Sequence, residues 1–97
     1  QRYVAAINET FDPSSLVGPG SGSVSLEIAI RLKQVVDGSV EYTPLMPATE
    51  VTGSTLIPVS FSNIEGASGV TSGELEIVNV ETGEILKSYP LTFFPQE

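Results

Sequence analysis

The chain has 97 residues, 12 of them acidic and four basic, so its net charge is −8. That length holds one domain with a modest core and is too short for two independent cores. The absence of Cys and His excludes disulfide bonds, thiolate nucleophiles and the commonest general base. The acidic balance argues against nucleic-acid binding, and no apolar run is long enough to predict a membrane-spanning segment.

The first ten residues are a candidate terminal strand. Tyr3, Ala5 and Ile7 alternate with their neighbours, which is the spacing of one strand face. Residues 11–23 are rich in Gly, Ser and Pro, a composition that predicts a flexible linker. On such a linker, residues 1–10 could pair within the domain's own sheet or with a neighbour.

The segment from Val24 to Leu32 has the clearest pattern in the chain. Its large apolar residues fall on every second position: Val24, Leu26, Ile28, Ile30 and Leu32. This period of two predicts a strand with one buried face. The alternation breaks at Lys33 and Gln34, where the sequence predicts a β-bulge or a bend.

Asp37 and Gly38 follow as a two-residue turn. An Asp-Gly pair between β-forming residues predicts a hairpin with a type I′ turn, whose central residues both need a positive φ. Val40 and Tyr42 would share one face of the return strand. Pro44 and Pro47 are expected to end the pairing, because proline has no N–H to donate.

A further strand is predicted from Thr55 to Ile64. Ile57, Val59 and Phe61 share one face of it. Pro58 lies inside the run and therefore favours a position at the edge of a sheet. Residues 62–73 are expected to form a loop.

A second hairpin is predicted around the turn of residues 81–83. Gly83, in the third turn position, suits the left-handed conformation of the last residue in a three-residue hairpin loop with a bulge. A loop of this length would pair Val80 with Glu84. The same register pairs Ile77 with Lys87 and Leu75 with Tyr89. The expected core face of this hairpin comprises Leu75, Ile77, Ile85, Tyr89 and Leu91. Phe93 and Phe94 are expected to form a short strand or an apolar plug.

These elements predict an all-β fold in a single domain of residues 1–97. Six to seven short strands with frequent turn signals favour an antiparallel β-sandwich, and the length suggests an immunoglobulin-like one. The Cys and Trp residues that mark antibody domains are absent, so only the architecture is predicted.

Three carboxylates of the second hairpin could in principle hold Ca²⁺. Glu74 and Glu76 share a strand face, and Glu84 lies on the return strand. The more ordinary interpretation is a solvated polar face, because the spacing matches no established calcium loop. We therefore predict no metal site, no cofactor and no catalytic residues.

The low charge content, 16%, favours a role in assembly. Sheet edges are usually protected by charged residues, and this chain has few. We expect a non-enzymatic structural protein of an exterior surface: a filament subunit, a virion surface protein or an envelope spacer. It would bind copies of itself or a neighbouring subunit by edge-strand pairing, through Tyr3, Val4, Ala5 and Ile7.

The alternative is a monomeric extracellular recognition module that binds a protein or a glycan through its loops. The candidate loops lie near Met46 and at residues 63–72. They contain no aromatic residue, whereas binding loops are usually rich in Tyr and Trp. An enzyme or a protease inhibitor is the least favoured class.

Overall fold

The computed structural model describes residues 2–14, 25–53 and 55–96. The chain forms seven strands in this part: β1 (Arg2–Phe11), β2 (Ser25–Val36), β3 (Ser39–Thr52), β4 (Ile57–Gly66), β5 (Ser72–Asn79), β6 (Ile85–Thr92) and β7 (Phe94–Gln96). They form two antiparallel sheets, ordered β4-β1-β7 (sheet A) and β3-β2-β5-β6 (sheet B). The predicted all-β sandwich is confirmed. Its immunoglobulin-like character stays a prediction.

The core lies between the inner faces of the two sheets. Ile28, Ile30 and Leu32 of β2 are almost completely buried, as their alternation predicts. Other strands of both sheets, together with Phe93, contribute the rest of the core: Ala5, Phe11, Ile57, Val59, Ile64, Leu75, Ile77, Leu91 and Phe93. Because each side chain points to the face opposite that of its neighbour, this pattern fixes which face of every strand is inward.

The expected break at Lys33 and Gln34 is wrong. The alternation of β2 continues, and Gln34 takes an inward position at 6% exposure. Its Oε1 accepts a hydrogen bond from the N–H of Ala67 at 2.8 Å. This bond pairs the amide oxygen, whereas the amide Nε2 is buried with no hydrogen-bond partner among the described residues. The inward position of this polar side chain is therefore only partly compensated.

The Asp37-Gly38 hairpin is confirmed, but the predicted end of its second strand is wrong. Asp37 and Gly38 have φ values of 52° and 81°, as a type I′ turn requires. β3 continues through Pro44 and Pro47 to Thr52, with register shifts against β2 in that region. Because β3 is an edge strand, its outer side needs no hydrogen-bond donors, so the prolines are accommodated.

Pro58 lies in an edge strand, as predicted, because β4 is the outer strand of sheet A. The predicted loop of residues 62–73 is too long. β4 extends to Gly66 and β5 begins at Ser72, so residues 67–71 connect the two sheets.

The second hairpin has the predicted pairs of Ile77 with Lys87 and of Leu75 with Tyr89. The pair of Val80 with Glu84 is wrong, because the N–H of Val80 donates to Glu27 of β2 instead. A register shift follows Ile77, and Leu86 is the extra residue. Ile85 therefore turns outward and is 46% exposed, while Leu86 packs against the core.

Both ends of the chain were only weakly patterned, and both contribute to sheet A. β1 extends to Phe11, which is buried, so residue 11 belongs to the strand and not to the predicted linker. Residues 15–23 of the predicted linker, and Val24 of the predicted strand after it, lie outside the described residues. Phe93 is the expected apolar plug, and Phe94 begins the expected short strand.

Candidate functional site

β1 is the middle strand of sheet A, so the four predicted assembly residues lie within the domain's own sheet. Ala5 is buried, and Tyr3, Val4 and Ile7 are half-buried. β4 pairs with β1 from Tyr3 to Phe11, with a shift between Ala5 and Ile7. Of the two expectations for residues 1–10, the structure therefore shows the first, pairing within the domain's own sheet.

The other side of β1 is mostly open. β7 pairs with only three of its ten residues, Arg2, Tyr3 and Val4. Among the described residues, no strand pairs with β1 on this side from Ala5 onward. In an antiparallel sheet every second residue directs its N–H and C=O to the same side. Along this side, β1 therefore has backbone groups with no strand partner among the described residues, and we define this open edge as residues 6–10.

The other sheet edges are interrupted by proline. The edge strands contain Pro44 and Pro47 in β3, Pro58 in β4, Pro90 in β6 and Pro95 in β7. The inner strands β1, β2 and β5 contain none. Proline on an edge strand prevents continuous pairing with another chain. The open edge thus belongs to a strand that lacks the protection shared by the true edge strands.

A groove of about 400 Å³ runs beside the open edge, between β1 and the end of β6. Ile7, Tyr89 and Leu91 contribute apolar surface to it, and Phe94 borders it with 61% of its surface exposed. The groove therefore combines unpaired backbone with apolar side chains, which is the combination that binds an extended peptide by strand addition.

Glu9 is the acidic group of the groove. It pairs in register with Val59, which is fully buried, so the Glu9 side chain lies on the inner face of sheet A. It remains exposed, and none of the described strands covers that flank. Burial raises the pKa of the Tyr89 hydroxyl across the groove, and the negative charge of Glu9 raises it further. Lys87 lies over the Tyr89 ring, 5.6 Å from its centroid.

The three carboxylates considered for Ca²⁺ are not gathered into one site. Glu74 lies 3.7 Å from the ammonium of Lys33, and Glu76 accepts a hydrogen bond from Arg31 at 2.9 Å. Glu76 is buried, not solvated as its strand face predicted. Glu84 belongs to the turn before β6. The described residues contain no group of three or more potential metal ligands.

The loops assigned to the recognition module are also placed differently. Met46 lies within β3 and is half-buried, not in a loop. Residues 63–66 belong to β4, which leaves a short connection before β5. The open edge of β1 was missed because it depends on how little of β1 the last strand covers. The concentration of prolines in the other strands was the signal that could have found it.

We found no match to a protein-family model, to a curated protein or to a solved structure. Within the described residues, no helix has the length and apolar character needed to cross a membrane. The geometry of the open edge is therefore the main indication of function.

Proposed function

We propose that this chain is a non-enzymatic structural protein that assembles on an exterior surface by accepting a strand at its open edge. The observation that carries the proposal is the short β7, which leaves most of β1 without a described strand partner on one side. The incoming strand would belong to a copy of the chain or to a neighbouring subunit. It would lie in line with β7 and extend sheet A.

Hydrogen bonding and apolar burial have separate roles in this mechanism. Each new backbone hydrogen bond contributes about 1 kcal/mol net, so the bonds mainly set register and direction. Affinity comes from covering Ile7, Tyr89 and Phe94, at about 25 cal/mol per Å² of apolar surface. Of the four residues predicted for assembly, Ile7 lies in the open segment, whereas Tyr3 and Val4 already pair with β7.

The exterior location rests on composition. Charged residues make up 16% of the chain, well below the usual level of about 25%, and Ser, Thr and Gly supply much of the remaining polar surface.

Two neighbouring proline variants test the open edge. Because N–H directions alternate along a strand, one of Asn8→Pro and Glu9→Pro removes a bond to β4 and the other blocks only the open side. Thermal unfolding identifies the variant that keeps the pairing of β1 with β4. We expect that variant to lose binding at the open edge. Size-exclusion chromatography with light scattering and negative-stain microscopy measure the loss for copies of the chain, and fluorescence anisotropy of a labelled strand peptide measures it for a foreign strand.

Two outcomes would contradict this proposal. If the stable proline variant forms the same oligomers or filaments as the original chain, strand addition at β1 is wrong. If the original chain binds no copy and no strand peptide at any concentration, the assembly function itself is wrong.

A further inference from the structure

We propose that the strand accepted by β1 comes from a different protein and carries Lys or Arg opposite Glu9. This inference rests on the proposed function and specifies the chemistry of the partner.

Glu9 occupies a position where a charge opposes ordinary strand addition. Its register partner Val59 is fully buried, so a strand added beside β1 would bring its own inward residue next to the carboxylate. An apolar residue there would desolvate Glu9 without compensation, which is costly. A basic residue would compensate the charge, and Glu9 therefore selects for one.

The chain itself does not supply that cation. Arg2 pairs with Glu65, Arg31 with Glu76 and Lys33 with Glu74. Lys87 lies over the Tyr89 ring, and none of the ion pairs among the described residues includes Glu9. The carboxylate remains available to an incoming side chain.

Net charge distinguishes a foreign partner from a second copy. Two copies at −8 each repel one another, and their association would be weakest at low ionic strength. A basic partner is attracted by the same field.

The test uses two synthetic strand peptides. Both are nine residues of alternating Val and Thr, one with Lys at its centre and the other with Glu. We expect the Lys peptide to bind the full chain at least about tenfold more tightly than its Glu twin at low salt. The preference should shrink as salt is added, because the groove is solvent-exposed. Fluorescence anisotropy of labelled peptides measures both affinities.

Matched charge reversals separate a local effect from a general one. Glu9→Lys should reverse the preference in favour of the Glu peptide. Glu81→Lys changes the net charge equally, but it lies in the exposed turn before β6 and should keep the preference for Lys. A Lys peptide that is N-methylated throughout should not bind, because it cannot donate backbone hydrogen bonds.

The following outcomes would overturn this inference. Equal binding of the two peptides, or equal effects of the two reversals, overturns the selectivity of Glu9 and leaves strand addition intact. Tighter binding of both peptides by Glu9→Gln would show that Glu9 blocks the edge, which also overturns the inference. Self-association of the chain that increases at low salt would identify a second copy as the occupant.

Discussion

Gly66 and Gly73 enclose the side chains of Phe93 and Gln34 at one end of the core. A Cβ added to Gly73 would lie 2.9 Å from the carbonyl oxygen of Lys33, which is backbone and cannot rotate away. A Cβ added to Gly66 would lie 2.8 Å from the Phe93 ring. These glycines are needed for close approach between strands, because neither position has room for a side chain.

Gly73→Ala should therefore lower the free energy of unfolding by about 1–3 kcal/mol, the usual cost of overpacking. Urea denaturation followed by circular dichroism measures the loss. Ser72→Ala is the matched control, since Ser72 is the neighbouring residue in the same strand and is exposed. Equal stability of the Gly73→Ala chain would show that β2 and β5 can move apart at little cost.

The pair of Arg31 and Glu76 gives a second prediction at this scale. The Glu76 side chain is 3% exposed, and Arg31 is 31% exposed and lies 4.0 Å from the centroid of the Tyr42 ring. Arg31→Met leaves a buried carboxylate without its partner and should cost roughly 2–3 kcal/mol, less than for a fully buried pair. The double variant Arg31→Met with Glu76→Leu should recover most of that loss. A double variant less stable than Arg31→Met would contradict this account.

At the scale of the strands, proline distinguishes the outer strands of the two sheets from β1. The outer strands contain prolines that prevent continuous pairing with another chain, and β1 contains none. Pro58 interrupts β4, the outer strand of sheet A. Pro58→Val should leave the fold intact and cause concentration-dependent aggregation, measured by light scattering, because the continuous edge becomes available. Ser60→Val adds the same side chain to the same strand and keeps the proline, so it should aggregate less. Equal aggregation would attribute the effect to added apolar surface.

The predictable parts of the fold are those encoded by neighbouring residues. Period-two alternation located the core face of β2, the Asp37-Gly38 pair located a hairpin, and Pro58 located an edge. The errors share a different origin. Gln34 is inward because its amide meets Ala67, a residue 33 positions away in sequence. Ile85 is outward because one extra residue in β6 reverses the phase of the strand. Neither contact is visible in a local pattern.

The candidate site was predicted only in part for the same reason. The apolar character of Ile7 is visible in the sequence, but its exposure depends on where β7 ends beside β1. The inward position of Glu9 depends on its pairing with Val59 in β4. Both are properties of the assembled sheet, so a terminal strand was predicted and its open edge was not.

At the scale of the whole molecule, β1 holds sheet A together. β4 and β7 both pair with β1 and with no other described strand. Deleting residues 1–10 therefore removes the shared partner of both strands, together with the buried Ala5. The shortened chain should lose its cooperative unfolding transition, because β4 would keep an apolar face with no hydrogen-bonded neighbour on either side. This deletion cannot separate assembly from folding, which is why point variants test the open edge.

A synthetic peptide of residues 1–10 should restore the fold of the shortened chain. The peptide supplies both the backbone partner for β4 and the apolar residue Ala5, which the core contains. We expect near-ultraviolet circular dichroism and a cooperative thermal transition to return in proportion to the peptide added. A peptide with Ala5→Asp is the control and should fail, since it would bury a charge. If the shortened chain unfolds cooperatively without any peptide, sheet B is stable alone and β1 is an accessory strand.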